Sequence, residues 1–379
     1  MNWINSKCPK TIHLILQPIM LRLQNISVLQ FKNYTQQTFN FSEKIIGICG
    51  SNGAGKTNLL DAIYYLCFTK SYFTKTDSAN VRRGLQGMRI EGNFTKYGEA
   101  EKVVCILREN NKKEVQRNGE DYNRLSHHIG QFPAVLIAPD DVELVTGNSD
   151  VRRRFMDMLL CQLDHRYLQS LIDYSKVLQQ RNSLLKAFAE KNYRDNTLLD
   201  VLTKQLVAPG EYIFQFRRNF LQQFLPGAAK KYLQIAGTEE PVELAYYSQL
   251  QEDGFEKLLG IYLQKDLLLQ RTTIGIHKDD IYLQLNSENF KNTASQGQRK
   301  SLLFALKLQE LEQLKSSKGF SPILLLDDVF EKLDADRMHN LLQQVCVESD
   351  SQIFITDTHK DRLTEDLKKL GTPFQLILL

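Results

Sequence analysis

Apolar and polar residues alternate from Leu21 to Ser42, with Leu21, Leu23, Ile26, Val28, Leu29 and Phe31 followed by Phe39 and Phe41. Lys32-Asn33-Tyr34-Thr35 breaks the run, and the period of two on either side predicts two antiparallel strands. Lys44 to Cys49 reads as a short buried strand, followed by a glycine-rich turn and a helix over Asn58–Leu66. More short strands are expected between Arg89 and Tyr122, with turns at Tyr97-Gly98 and Asn118-Gly119. Ala134–Ile137 reads as a further strand, closed by Pro139-Asp140-Asp141.

After Asp150 the pattern changes. From Val151 to about Ile235, Leu, Gln, Arg and Phe recur at helical spacing with few turn residues. Strands return at Val242–Tyr247 and Ile281–Leu285. The last hundred residues carry two helices and the strands Ile323–Leu326, Ile353–Thr356 and Phe374–Leu378. The outer thirds are therefore α/β and the middle is mostly helical. The division expected is 20–145 for a first part, 146–240 for an inserted helical lobe, and 241–379 for a second part.

At 379 residues, with 42% hydrophobic and 24% charged, the chain can bury a sizeable core. Its net charge of +4 neither marks nor opposes an anionic partner. No apolar run is long enough to cross a bilayer, so no membrane partner is expected. Cys8, Cys49, Cys67, Cys105, Cys161 and Cys346 are scattered without CxxC spacing. A zinc site is not expected; free thiols fit a reducing, cytoplasmic setting. Residues 1–19 faintly imitate a secretion signal, but His13, Gln17 and Pro18 interrupt the apolar part. Met20 directly precedes a well-patterned strand and is read as the true start, with 1–19 a non-native extension.

Gly50-Ser51-Asn52-Gly53-Ala54-Gly55-Lys56-Thr57 fits GxxxxGK[ST] between a strand and a helix. Glycines let backbone N–H groups wrap a phosphate, and the helix that follows, with Asn58 in its first turn, aims its positive end at the same anion. Lys56 is expected to reach the β- and γ-phosphates of ATP, and Thr57 to hold Mg²⁺. Four apolar residues, Ile323 to Leu326, lead into Asp327 and Asp328. Asp327 is placed to bind Mg²⁺ and Asp328 to polarise the attacking water. Ser295-Gln296-Gly297-Gln298 opens a strong helix, with Ser295 as its N-cap.

The order phosphate loop, SxGQ, apolar-DD resembles that of ABC-type ATPase heads. Ala294 and Gln296 depart from the leucine and first glycine of that family's LSGGQ element. Arg153-Arg154-Phe155-Met156-Asp157, Gln180-Arg181-Asn182-Ser183-Leu184-Leu185, Gly275-Ile276-His277-Lys278-Asp279-Asp280 and Leu326-Asp327-Asp328-Val329-Phe330 with Leu333-Asp334 are similar to stretches of the RecF family of DNA replication and repair proteins. Ile276 stands where that family usually has proline. The resemblance runs from about Met20 to the C-terminus. It implies an SMC-like P-loop head with mixed sheets and a helical lobe in place of long coiled coils. It also implies that Ser295, Gly297 and Gln298 meet the γ-phosphate held by a second copy, and that ATP drives homodimerisation on DNA. Slow, DNA-stimulated hydrolysis then drives release. The partners implied are RecR and RecO, and indirectly RecA.

Where transporter ATPases carry a glutamine loop, this chain has Ala138-Pro139-Asp140-Asp141, so no Gln is assigned to the metal. His359 has two readings of equal weight, a γ-phosphate switch or the cap of the next helix. Arg82-Arg83, Lys112-Lys113 with Arg117, and Arg152-Arg153-Arg154 are either solvated faces or DNA contacts; Arg153 and Arg154 could instead lock the lobe to the head. DNA contact would be mainly to phosphate and salt-sensitive. Three other functions fit the motifs less well. A transporter subunit would need the glutamine loop and a full LSGGQ. A GTPase would need more than Asn111-Lys112-Lys113-Glu114, which reads as a turn. A scaffold with a degenerate site is opposed by intact Lys56, Thr57, Asp327 and Asp328.

Overall fold

The computed structural model describes residues 21–191, 195–237, 241–328 and 335–379. The reading of 1–19 and Met20, and the segments Val329-Phe330 and Leu333-Asp334, lie outside the described residues.

In chain order the elements are β1 (Leu21–Phe31), β2 (Tyr34–Asn40), β3 (Ile45–Cys49), α1 (Lys56–Phe68), β4 (Met88–Lys96), β5 (Glu99–Leu107), β6 (Lys113–Arg117), β7 (Glu120–Asp121), β8 (Ala134–Ile137) and α2 (Glu143–Thr146). Then come α3 (Ser149–Leu163), α4 (His165–Lys191), α5 (Asn196–Ala236), β9 (Val242–Tyr247), α6 (Phe255–Ile261), α7 (Leu263–Leu269), β10 (Asp280–Leu285) and β11 (Glu288–Asn289). The chain closes with α8 (Phe290–Thr293), α9 (Gln296–Lys318), β12 (Ile323–Leu326), α10 (Ala335–Leu342), β13 (Ile353–Asp357), α11 (Lys360–Lys369) and β14 (Phe374–Leu378).

Five strands form a parallel sheet in the order β14-β3-β13-β12-β8. Every residue of β3, β8, β12 and β13 is buried. Continuous burial is expected of parallel strands covered on both faces, and it explains their unbroken apolar runs. One face packs on α1 and on a six-stranded antiparallel sheet in the order β2-β1-β4-β5-β6-β7. The other packs on α3, α9 and the C-terminal half of α5. A three-stranded sheet, β11-β10-β9, flanks this second core. The head thus combines parallel and antiparallel sheets, in line with the α/β head that the family resemblance implies.

The lobe is built on α4 and α5. Its core joins Tyr167, Tyr174, Leu206 and Ile213 to Phe255, Leu258, Ile274 and Ile276. Residues 250–276, which the sequence reading groups with the second part of the head, thus share a core with the lobe. The 41-residue α5 runs through Pro209 and Pro226, although Pro-Gly pairs ordinarily mark turns. The glycines explain the placement. A Cβ on Gly210 would lie 2.5 Å from Phe255 Cε1, and one on Gly227 would lie 2.5 Å from Gln309 Nε2. Close packing at both pairs offsets the roughly 3 kcal/mol cost of an interior proline.

Candidate active site

Ligand sites in open parallel sheets lie outside the carboxyl ends of the strands. Here β3 leads into the glycine loop, β12 into Asp327-Asp328, and β8 into Pro139-Asp140-Asp141. Sheet order sets β12 between β8 and β13, with Leu326 opposite Ile137 and Ile355.

Gly53 and Gly55 have φ of 83° and 116°, left-handed values that favour glycine. Gly55 has a second constraint, since its Cβ would lie 2.6 Å from Asn33 Nδ2 and 2.8 Å from Tyr34 Oη. The turn between β1 and β2 clasps the loop there. Asn33 Nδ2 donates to Ala54 O at 3.1 Å, and Tyr34 Oη to Gly55 O at 3.0 Å. Asn58 Nδ2 donates to Asn33 Oδ1 at 2.8 Å, and Arg82 donates to Asn33 O. Lys56 Nζ donates to Gly50 O at 2.8 Å and Ser51 O at 3.1 Å, so its charge stays inside the loop.

Thr57 Oγ1 lies 3.0 and 2.9 Å from the two oxygens of Asp327, although 270 residues separate them in sequence. Asp327 N–H donates to Ile137 O at 2.8 Å. Burial raises the Asp327 carboxyl pKa, while hydrogen bonds from Thr356 and Thr57 pull it down. A hydroxyl and a single carboxylate are hard oxygen donors of the kind Mg²⁺ takes beside water and phosphate. No group of three or more His, Cys, Asp or Glu that could hold a metal occurs among the described residues. The donor set therefore fits magnesium, and the glycine cradle fits a polyphosphate.

Sequence reasoning missed Thr356. Its Oγ1 donates to Asp327 Oδ1 at 2.8 Å and accepts the Asp328 N–H at 2.8 Å. Asp328 is held at φ 46°, a strained left-handed value for a residue with a Cβ. One buried hydroxyl on β13 thus fixes both aspartates. The period-two pattern shows Thr356 as a strand residue, but nothing local links it to Asp327.

Ser295 caps α9 in a reciprocal box: Gln298 N–H donates to Ser295 Oγ at 3.2 Å, and Ser295 N–H to Gln298 Oε1 at 2.8 Å. A Cβ on Gly297 would meet only Ser295 Oγ, 3.9 Å away, so this face of the helix start is open. Among the described residues, neither Ser295 nor Gly297 hydrogen-bonds to the loop Gly50–Thr57.

Asp141 is engaged elsewhere, accepting from Ala138 N–H at 2.9 Å and from Tyr72 Oη. His359 is exposed and stands at the start of α11, but its side chain makes no capping hydrogen bond; the cap reading therefore finds no support. Two of the three basic clusters are largely neutralised within the fold, while Arg83 is exposed. Arg117 pairs with Glu101, Lys113 with Asp77 at 2.6 Å, and Lys112 with Glu114 at 3.2 Å. Arg152 binds Asp280 at 2.6 and 3.0 Å, and Arg153 donates to Asp279 O at 2.6 Å. Arg152 thus ties α3 to the start of β10, and Arg153 ties it to the residue just before. Arg154 is exposed.

The family model for the RecF/RecN/SMC N-terminal domain matches residues 22–375. The chain belongs to this family. It is 41% identical over 359 residues to the DNA replication and repair protein RecF of Flavobacterium johnsoniae, covering 95% of this chain and 100% of that one. It superposes on a solved recombination mediator protein RecF with ATP at a TM-score of 0.84 and 29% identity, covering 92% and 95% of the two chains. An SMC head domain from Pyrococcus furiosus shares the fold at a TM-score of 0.53 and 14% identity. The SMC-head architecture expected from the motifs is the one observed. No helix among the described residues is long and apolar enough to cross a membrane.

Proposed function

We propose that this chain is an ATP-dependent DNA-binding protein of replication and recombinational repair, and a weak ATPase whose site is completed by a second copy. The convergence of Thr57 and Asp327 at 2.9 Å beside the glycine loop carries the reading. Magnesium, when bound, neutralises phosphate charge during transfer. Thr57 and Asp327 would hold it. The N–H groups of Gly50 to Asn58 and the Lys56 ammonium bind and orient the triphosphate. Asp328, at the end of β12, orients the attacking water and accepts its proton at the carboxylate.

Ser295, Gly297 and Gln298 act on the partner's phosphate. The open face at Gly297 and the absence of a hydrogen bond from Ser295 or Gly297 to the chain's own cradle among the described residues support that role. Charge on the terminal phosphoryl group is then only half met in one subunit, so turnover depends on assembly. Dimer formation clamps DNA through phosphate contacts, and hydrolysis releases it. RecO and RecR are the proposed partners in loading RecA, in the cytoplasm; the likeness to a mediator solved with ATP supports this.

Sedimentation of the whole chain with and without ATP and duplex DNA tests dimer and ligand together. A shift to dimer only with ATP, and DNA binding that weakens steeply with salt, is the expected result. A monomer at all ATP concentrations with undiminished turnover sinks the shared site.

A further inference from the structure

Asp61 lies on α1 one helical turn beyond Thr57, and its side chain is fully buried. A buried carboxylate is costly unless it is paired and hydrogen-bonded. Here it is both. Lys32 Nζ lies 2.6 Å from Asp61 Oδ2, Ser71 Oγ donates to the same oxygen at 2.6 Å, and the Tyr72 N–H donates to Asp61 Oδ1 at 2.8 Å. Lys32 brings its charge from another part of the molecule. It is the first of the two residues that turn β1 into β2.

The side chain of Lys32 is only 12% exposed, and its ammonium sits 5.6 and 5.3 Å from the ring centroids of Phe31 and Phe73. Its φ is 50°, a left-handed value that strains a residue with a Cβ and persists only where neighbouring contacts over-determine it. Those contacts are the pair with Asp61 and the hydrogen bond from the Lys32 N–H to Asn80 O at 2.7 Å. The next two residues are Asn33 and Tyr34, whose side chains donate to Ala54 O and Gly55 O of the glycine loop. The ion pair therefore joins the turn that clasps the loop to the helix that the loop opens. A carbonyl and the next residue's N–H share one peptide plane. Bonding Ala54 O and Gly55 O thus sets the directions of the Gly55 and Lys56 N–H groups before a phosphate arrives, and such preorganisation lowers the cost of binding.

We propose that Asp61, acting through Lys32, is a positioning residue for ATP: it holds the β1–β2 turn on the glycine loop and so sets the affinity of the cradle for the triphosphate. This rests on the reading of that loop as an ATP cradle. The clasp bonds the loop's backbone rather than Thr57 Oγ1 or Asp327, and it serves bound ATP and the transition state alike. Its loss should weaken binding and spare the chemical step.

The test uses the whole chain with Mg²⁺. It measures the Kd for a fluorescent ATP analogue, turnover against ATP concentration, and the urea midpoint. Asp61→Asn keeps shape and removes the charge, Lys32→Met removes the ammonium, and Lys32→Arg keeps a cation. Asp61→Asn and Lys32→Met should each raise Kd and KM about tenfold, with kcat at saturating ATP within about threefold of the parent. The double variant should lose little beyond either single one, because the two side chains act as a unit. Lys32→Arg should bind ATP within about twofold of the parent, since its charge is kept. Unchanged ATP affinity beside a lowered urea midpoint makes the pair a fold contact only and overturns the proposal. A loss confined to kcat overturns it too, as does a Lys32→Arg variant as weak as Lys32→Met. A parent chain that binds no ATP removes the cradle reading itself, a result distinct from these because it appears before any substitution. Should Asp61→Asn fail to fold, Lys32→Met carries the test.

Discussion

The phosphate site and the polar knot beneath the lobe both gather charged residues from distant parts of the chain, yet they treat charge in opposite ways. At the phosphate site, Lys56 rests on carbonyls of its own loop, and Asp327 accepts from two hydroxyls. In the knot, Arg217 is fully buried and fully used. It donates to Asp279 Oδ2 at 2.7 Å, Asp157 Oδ1 at 2.7 Å, Ile276 O at 2.8 Å and Tyr167 Oη at 3.0 Å. Nearby, Arg181 Nη1 donates to Asp266 Oδ2 and Thr272 Oγ1, both at 2.7 Å. His277 joins in, its Nδ1 2.7 Å from Tyr174 Oη and its Nε2 3.0 Å from Thr272 O. The family-like stretches around Arg153 and His277 therefore join α3 to the lobe, and the stretch around Arg181 ties α4 to α7 within it. A motif can mark a joint as readily as a reaction centre.

That contrast can be broken from either side. Removing a partner from a buried, closed network leaves charges unpaired, so Arg217→Ala should cost about 3–5 kcal/mol, read as a lower urea midpoint. ATP affinity per folded molecule should stay near that of the parent. An unchanged midpoint would deny the knot its structural role. In the open site, substitutions should spare stability and strike turnover. Asp328→Asn should slow hydrolysis about 100-fold or more and leave a long-lived ATP dimer in light scattering; unaltered turnover removes Asp328 from the chemistry. Ser295→Arg should leave ATP binding near normal and abolish ATP-induced dimers, and full dimerisation would refute its action across the interface.

Smaller effects sharpen the boundary. Thr356→Val removes the hydroxyl shared by the two aspartates and should lower turnover about tenfold, with ATP binding little changed. Thr356→Ser should restore it, and failure of that rescue would make Thr356 a packing residue only. The last prediction concerns pH. Burial pushes His277 and His128 down to about 4. Their neutral forms stabilise the fold above the unfolded value near 6.5, and that contribution is lost as pH falls from 6.5 towards 4. A variant with His277→Gln and His128→Gln should show a shallower loss of urea midpoint over this window than the parent. Parallel slopes would show that the histidines are not responsible.

Much of the site is legible because its chemistry is local. The loop Gly50–Thr57 needs glycines at fixed offsets between a strand and a helix, and those offsets are written consecutively. The Asp327-Asp328 corner is legible for the same reason, since a parallel strand buried on both faces must be apolar until it ends. Asn33, Thr356 and Arg217 were not legible. Asn33 looks like an ordinary turn residue, and Thr356 like any β-branched residue in a strand. Arg217 lies in a helix whose periodicity gives no sign that one arginine points into the core. The Pro-Gly pairs of α5 even point the wrong way, because their local preference is overruled by Phe255 and Gln309 packing against the glycines.

By itself, the sequence determined the main elements, the glycine loop, the two aspartates after β12 and the family, because each depends on periodicity or spacing over a few residues. Only the tertiary structure decided which strand neighbours β12, and hence that a threonine 29 residues beyond Asp327 holds both aspartates. It also decided that the stretches around Arg153 and His277 meet Arg217 in one joint. Hydrogen bonds and buried charges act over about 3 Å, and contacts at that range between residues far apart in the chain exist only once the sheet order and helix packing are set.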